Sequence, residues 1–281
     1  MVKKFSRRKF VTLLGLGALG TAGYGGIIES SRFIVSRHQV RLGRFSGRAP
    51  IRILHMSDLH ASMVVGLDQI AEAVELGLKC DPHLVCLTGD FITRRYERFD
   101  EYAAVLAPLA KHAPTFACLG NHDGGAWAQR RRGYSDTASV RALLAKSGVQ
   151  LLHNASVAVR LDGWQLTVTG LGDYWAGELQ PEVAFRGADP ESARLVLVHN
   201  PDSIEELRRY GWDLMLCGHT HGGQLRLPVL GTPFAPVKDH RLVDGLHNCD
   251  GRWVHITRGV GNLLGIRINC PPEVSLITLV G

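Results

Sequence analysis

Cys217-Gly218-His219-Thr220-His221-Gly222-Gly223-Gln224 follows directly on the apolar run Asp213-Leu214-Met215-Leu216. Two histidines at i and i+2 leave an extended backbone in the same direction. Released from the end of a buried strand, they form a geometry for holding metal. A single pair of this kind proves little, and the rest of the chain decides whether it has partners.

Working outward, the same pattern of apolar strand and polar ending recurs four more times. Ile51–Met56 leads into Ser57-Asp58-Leu59-His60, and Leu84–Leu87 into Thr88-Gly89-Asp90. Thr115–Leu119 closes with Gly120-Asn121-His122-Asp123, and Arg194–Val198 delivers His199-Asn200-Pro201-Asp202. Between the strands, Leu67, Ile70, Val74 and Leu78 predict a helix over 67–78. Further helices are expected over 99–111, kinked or shortened by Pro108, over 137–146, and from Pro201 to Arg209 with Asn200 as cap. The Gly- and Arg-rich segment 124–133 reads as a loop over the site. Segments 150–160, broken near Asn154, and 164–169 read as antiparallel strands joined by an Asp162-Gly163 turn. Segments 225–227, 241–246, 253–257 and 274–280 complete the expected strands. Alternating strands and helices, then a strand-rich second half, imply two packed sheets with helices outside.

C-terminal strand ends are where α/β sheets build ligand sites. The five ends offer hard or borderline N and O donors that can fill two adjacent metal positions without cysteine. His38, His83, His112, His153, His240, His247 and His255 lack such placement and read as ordinary surface or core histidines. Of six cysteines, Cys86, Cys118 and Cys217 lie in apolar strands as small hydrophobes. A Cys249–Cys270 bridge is open, and no C-x-x-C metal pattern exists.

D-x-H, G-D, G-N-H-D, an isolated strand-end histidine and G-H-T-H, in this order, resemble the calcineurin-like metallophosphoesterase family over residues 51–281. The resemblance implies an α/β fold, a four-layer α/β/β/α sandwich of two mixed sheets flanked by helices. It implies two divalent metal ions (Mn, Fe or Zn), one held by Asp58, His60 and His221 and the other by Asn121, His199 and His219, with Asp90 bridging. His122 would contact the phosphate or protonate the leaving oxygen, with Asp123 orienting it. Many members continue G-D-x-x-D-R, whereas Gly89-Asp90-Phe91-Ile92-Thr93-Arg94 puts Thr93 in place of the second acid. Arg94 is a candidate phosphate contact. Gly222 and Gly223 would bring backbone N–H groups to the substrate, and Gln224 could donate to it. The implied chemistry is phosphodiester or pyrophosphate hydrolysis by a water that two metals activate. Within the family the chain looks most like bacterial YaeI-type phosphodiesterases, a branch similar to enzymes that hydrolyse UDP-2,3-diacylglucosamine in lipid A synthesis. The alternatives are a nuclease or nucleotide phosphodiesterase, or a catalytically silent scaffold of the same fold.

At the other end of the chain, Lys3-Lys4-Phe5-Ser6-Arg7-Arg8-Lys9-Phe10-Val11 precedes an uncharged, Gly-rich, mildly apolar stretch to Ile28. Charge followed by apolar residues marks a targeting segment, and the paired arginines resemble a twin-arginine signal. An ordinary membrane anchor is the alternative. Residues 1–30 are therefore expected to direct the chain to the membrane, 31–50 to be a basic linker, and 51–281 to be the catalytic domain. The signal favours an extracytoplasmic place, but basic residues on both flanks leave anchoring on the cytoplasmic face open. Arginines of the linker either meet anionic headgroups or are solvated.

The pI of about 9.1 is a property of that arm. Ten of the 32 Lys and Arg but one of the 26 acids lie in residues 1–50, leaving 51–281 at a formal −3. The body therefore offers no electrostatic footprint for nucleic acid. The expected partners are a phosphoester substrate, lipid-linked in the lipid A reading, and the membrane through the N-terminal segment; the expected state is a monomer.

Overall fold

The computed structural model describes residues 24–281; the twin-arginine and apolar stretch up to residue 23 lies outside the described residues. Among the described residues, twelve strands form two six-stranded mixed sheets. The first sheet contains β1 (Ile34–Arg41), β12 (Glu273–Val280), β2 (Ile51–Met56), β3 (Leu84–Thr88), β4 (Thr115–Cys118) and β5 (Gln150–Leu151), in that spatial order. The second runs β10 (Gly245–Cys249), β11 (Arg252–Ile256), β9 (Leu214–Cys217), β8 (Ala193–Leu197), β7 (Trp164–Gly170) and β6 (Ala155–Leu161). The site-bearing strands are parallel within each sheet: β2, β3 and β4 in one, β8 and β9 in the other. Their C-terminal ends consequently emerge together.

The pleat explains the layers. On β2, Ile51 and Ile53 pack into the core between the sheets with Cys86, Leu195, Leu214 and Ile277. Leu54 and Met56 face the other way, against the helices α1 (Leu67–Leu78), α2 (Phe99–His112) and α4 (Ala138–Lys146). A third apolar cluster covers the outer face of the second sheet, with Val196, Met215 and Val254 against Ile204 and Leu207 of α6 (Ile204–Leu207). Three cores separate four layers, the α/β/β/α sandwich expected.

Several local expectations change. Helix α2 runs through Pro108 to His112; the carbonyl freed by the missing N–H is that of Ala104, which faces solvent, so the break is tolerated. Segment 150–160 divides into β5 and β6, which belong to different sheets. Asn154 makes the corner in a left-handed conformation, its Oδ1 accepting from Gly172 N at 2.9 Å and Gln180 N at 3.1 Å. The expected loop 124–133 contains helix α3 (Gly125–Gln129). Residues 225–227 form only isolated bridges. Residues 240–242 form a 3-10 turn capped by Asp239, and the strand expected at 241–246 begins at Gly245. All six cysteines are free; Cys270 donates its Sγ–H towards the carbonyls of His221 and Gly222, so no Cys249–Cys270 bridge exists.

The basic linker is also corrected. Residues 34–41 form β1, paired in parallel with β12. Arg37 and Arg41 point to solvent, which is why the segment reads as charged. Arg44 donates to the carbonyls of Pro190 at 3.0 Å and Ser192 at 2.9 Å, and pairs with Asp213. That arginine fastens the segment to the second sheet. Among the described residues, no helix is long and apolar enough to cross a membrane.

Candidate metal centre and cavity

The five strand ends meet at one place between the sheets, and all seven predicted ligands come together there. The turns that deliver them are strained: Asp58, His60, Asp90, His219 and His221 all have φ between 49° and 71°. Non-glycine residues rarely occupy this region, and such outliers cluster at functional sites. Close backbone approach makes the convergence possible. A Cβ on Gly218 would lie 2.0 Å from Ser57 Oγ and 2.3 Å from Asp58 Oδ2, so the GHTH turn needs its glycine.

Donor separations match the coordination sphere of small cations. His60 Nε2 lies 3.1 Å from His221 Nε2, and His221 Nε2 lies 3.4 Å from Asp58 Oδ1. On the other side, His199 Nε2 is 3.2 Å from His219 Nδ1. Atoms bound to one ion at ~2.1 Å sit about 3.0–3.5 Å apart. A single oxygen, Asp90 Oδ2, lies 3.4 Å from His60 Nε2 and 3.2 Å from His199 Nε2, which suits a bridging carboxylate. Asn121 Oδ1 is buried there without a hydrogen-bond partner. The donor set therefore fits two divalent ions. Their identity is open, since these N and O donors suit several.

Burial keeps the rings in their ligand form. It pushes His60 and His221 down to about 3. It also lowers His219, with the charge of His199 adding to the effect. Neutral imidazole is the form that binds metal. His199 and Asp90 make the opposite case: burial opposes charge on both, yet the two attract each other strongly enough to hold His199 high and Asp90 low. Outer contacts aim the rings. His199 Nδ1 donates to Thr88 O at 2.7 Å, and His60 Nδ1 lies 3.2 Å from Thr93 Oγ1. Thr93 thus stands beside a ligand ring as the hydroxyl counterpart of the missing acid.

Asp123 is placed differently from the expectation. Its carboxylate accepts from the backbone N–H groups of Phe91 at 2.7 Å, Gly120 at 2.8 Å and Asp90 at 2.9 Å. It clasps the loops that carry Asp90 and Asn121 and does not orient His122. The carbonyl of Thr93 has that task, accepting from His122 Nδ1 at 2.7 Å. The phosphate floor at 222–224 also needs correction. Gly222 N donates to Thr220 Oγ1, Gly223 N to Thr220 O, and Gln224 N to His221 O; Gln224 Nε2 donates to Ile266 O at 3.0 Å. These groups hold the turn and are not available to substrate.

Above the donors opens a cavity of about 760 Å³, lined by His122, Arg94 and side chains that sequence reasoning missed. Trp127 packs on the His122 ring at 4.7 Å, and Trp175 stands edge-on to His219 at 4.2 Å, so aromatic rings flank both sides. Arg130, Arg131 and Arg132 line the same wall, with Arg131 over Trp127 at 3.8 Å. Phe234, Leu263 and Leu264 form an exposed apolar lip. Asp173 was missed as well, although Gly172-Asp173 after β7 repeats the signal of Gly89-Asp90. It is buried, one of its oxygens has no partner, and burial raises it to about 6.

Residues 51–223 match the family described as calcineurin-like phosphoesterase. Phosphodiesterase YaeI of Escherichia coli (strain K12) is 41% identical over 278 residues, covering 98% of this chain and 99% of that protein. The chain belongs to the calcineurin-like phosphoesterases. As a member of that family it is a hydrolase acting on phosphoester bonds. It is also 28% identical to the uncharacterized metallophosphoesterase YkuE of Bacillus subtilis (strain 168), covering 99% of both chains. The UDP-2,3-diacylglucosamine pyrophosphatase LpxG of Chlamydia trachomatis (serovar D) is 27% identical, covering 83% of this chain and 85% of that one.

Proposed function

We propose that this phosphoesterase cleaves phosphodiester or pyrophosphate bonds in a lipid-linked substrate at a membrane surface, using the seven strand-end ligands and His122. The observation that carries the reading is the cavity: a floor of metal-ligand donors under a wall of arginines and tryptophans, with an apolar lip at its mouth. Arg94, Arg130, Arg131 and Arg132 line it, whereas Asp90 is the one acidic residue among those lining side chains. The mouth is therefore cationic although the body as a whole is slightly acidic, and this favours a phosphorylated ligand. Leu264 and Phe234, 72% and 67% exposed, offer apolar surface where an acyl chain or a bilayer would meet it.

Asp58, His60 and His221 would hold one ion and Asn121, His199 and His219 the other, with Asp90 between them. Divalent ions held there would supply charge to neutralise the phosphate and activate a water. His122, with Nδ1 spent on Thr93 O, is left with Nε2 for the leaving oxygen or the phosphate. Arg94 supplies charge to the non-bridging oxygens. Trp127 and Trp175 screen the reacting bond from bulk water.

The family resemblance to LpxG supports a UDP-diacylglucosamine-like substrate, and the basic N-terminal run supports delivery to the membrane. Export by a twin-arginine signal would separate the enzyme from a nucleotide sugar made in the cytoplasm, so a single chain favours one of the two. Assaying the Mn-loaded full-length protein on bis-p-nitrophenyl phosphate, p-nitrophenyl phosphate and UDP-2,3-diacylglucosamine separates the possibilities. Turnover of the first and third is expected; a diester activity with an inert third substrate would remove the lipid A reading and keep the diesterase.

A further inference from the structure

A second group of histidines lies apart from this centre, at the edge where β1 and β12 of the first sheet meet β11 of the second. His38, His255 and Glu273 each bring one donor atom to within 4.8 Å of the others. His255 and Glu273 are buried and His38 is half-buried, their rings and carboxylate coming from three different strands. The two imidazole centroids are 4.7 Å apart. Nε2 of His38 and Nε2 of His255 are both shielded from solvent, and neither has a hydrogen-bond partner. A buried polar atom left unpaired is costly, so two at one spot call for an occupant.

The surroundings set His255 up as a ligand. Its Nδ1 lies 2.9 Å from His55 Nδ1, and His55 Nε2 lies 2.8 Å from Thr88 Oγ1. When His255 Nδ1–H is the donor, its Nε2 carries a lone pair directed away from His55. Metal-binding histidines are aimed in this way, by spending the other ring N–H inside the protein. The opposite tautomer would bury an Nε2–H with no acceptor. Glu273 is fixed as well: Oε1 accepts from Ser275 Oγ at 2.8 Å and from Ser36 Oγ. Oε2 accepts from the backbone N–H of Arg258 at 3.3 Å and lies 3.5 Å from Arg258 Nε, which also donates to Asp244 Oδ2 at 2.8 Å.

We infer that His38, His255 and Glu273 form a third cation site, for a divalent ion of the Zn2+ type, which ties the two sheets together. Two imidazoles and one carboxylate suit Zn2+, Co2+ or Ni2+ better than the all-oxygen preference of Ca2+ or Mg2+. The role is structural: no residue of this group belongs to the strand-end centre. The link to that centre is indirect. Glu273 N donates to Gly259 O at 2.9 Å, and Gly259 packs against the side chain of Asp58. An ion here stiffens the segment behind Asp58.

The test uses full-length protein stripped with chelator and titrated with Zn2+ alone, counting tightly bound ions by elemental analysis. Wild type is expected to bind one equivalent more than either His38→Ala or Glu273→Gln. Asp90→Asn, which damages the strand-end centre, should keep that equivalent. His38→Ala should keep diester hydrolysis within about twofold, because His38 touches no reacting group. It should also lose a share of the Zn2+-dependent rise in melting temperature, on the order of 5 °C for a domain of this size. Equal Zn2+ stoichiometry in wild type and His38→Ala would overturn the inference, as would a lower melting temperature of Glu273→Gln with unchanged ion content. Half-exposed His38 is the safer variant for folding, so the result stands even where Glu273→Gln does not fold.

Discussion

His122 donates through Nδ1 to the carbonyl oxygen of Thr93 at 2.7 Å, and the hydroxyl of the same threonine lies 3.2 Å from Nδ1 of His60. One residue thus aims both the proposed acid and a proposed ligand. The two rings stand edge to face at 5.0 Å. Since Thr93 O occupies Nδ1, any contact with a leaving group must come from Nε2. His122→Ala should lower kcat on a diester by about 10²–10⁴ and leave the bound metal unchanged. Elemental analysis beside kcat on a diester checks this; loss of metal in the variant would instead make His122 a ligand.

Asp123 leads to a different expectation. Its carboxyl group gathers three backbone N–H groups from two loops, and each such bond contributes roughly 0.5–1.5 kcal/mol, with more lost when a buried N–H is left unpaired. Asp123→Ala should reduce stability by about 3 kcal/mol or more, and loosen Asp90 and Asn121 together. Urea melts and metal content should fall in parallel. A variant with wild-type stability and a defect confined to kcat would restore the orienting role that the sequence reading assigned to Asp123.

Strand-end ligands were legible because each follows its own apolar run within a few residues, so the chain itself writes down the address. The cavity wall was not legible. Trp127 comes from the short helix α3 and Trp175, Phe234 and Leu264 from three separate loops, with no periodicity to join them. Strand β1 was hidden for another reason: its inward-facing positions include Ser36 and His38, while Arg37 and Arg41 face out, and the alternation reads as a basic linker. The histidines dismissed as ordinary include His255, buried in a strand whose neighbour across the sheets, His55, is equally polar. Sequence pattern registers apolar burial and misses polar burial satisfied across sheets.

Gly218 tests how tightly the centre is built. The added methyl of Gly218→Ala would stand 2.0 Å from Ser57 Oγ and 2.3 Å from Asp58 Oδ2, far inside van der Waals contact. Asp58 must move, and it accepts the His219 N–H at 3.0 Å, so the displacement spreads to the GHTH turn. Activity should drop at least a hundredfold and one metal equivalent should be lost, while the distant helices keep their far-UV signal. Near-wild-type turnover would mean that Asp58 is not a required ligand.

Acid stability follows from the same burial. His55, His60 and His221 are held down to about 3, in each case chiefly by burial, and burial also lowers His219 and His255. In the unfolded chain these rings titrate near 6.5. Below that pH the unfolded state takes up protons that the fold refuses, so the stability is complete above about 6.5 and is lost as pH falls towards 3. Three groups act in the other direction: burial raises Asp123 to about 8 and Asp173 to about 6, and the charge of Asp90 holds His199 high against its burial. Five rings outnumber three opposing groups, so the net slope between pH 6 and 5 is a loss of stability on acidification. Each unmatched ring contributes up to about 1.4 kcal/mol per pH unit. Urea unfolding of chelator-treated protein at pH 6.5, 6.0, 5.5 and 5.0 measures the slope directly. A stability that is flat or rising towards pH 5 would show that the rings are protonated in the fold, and the neutral-ligand picture of the centre would fail with it.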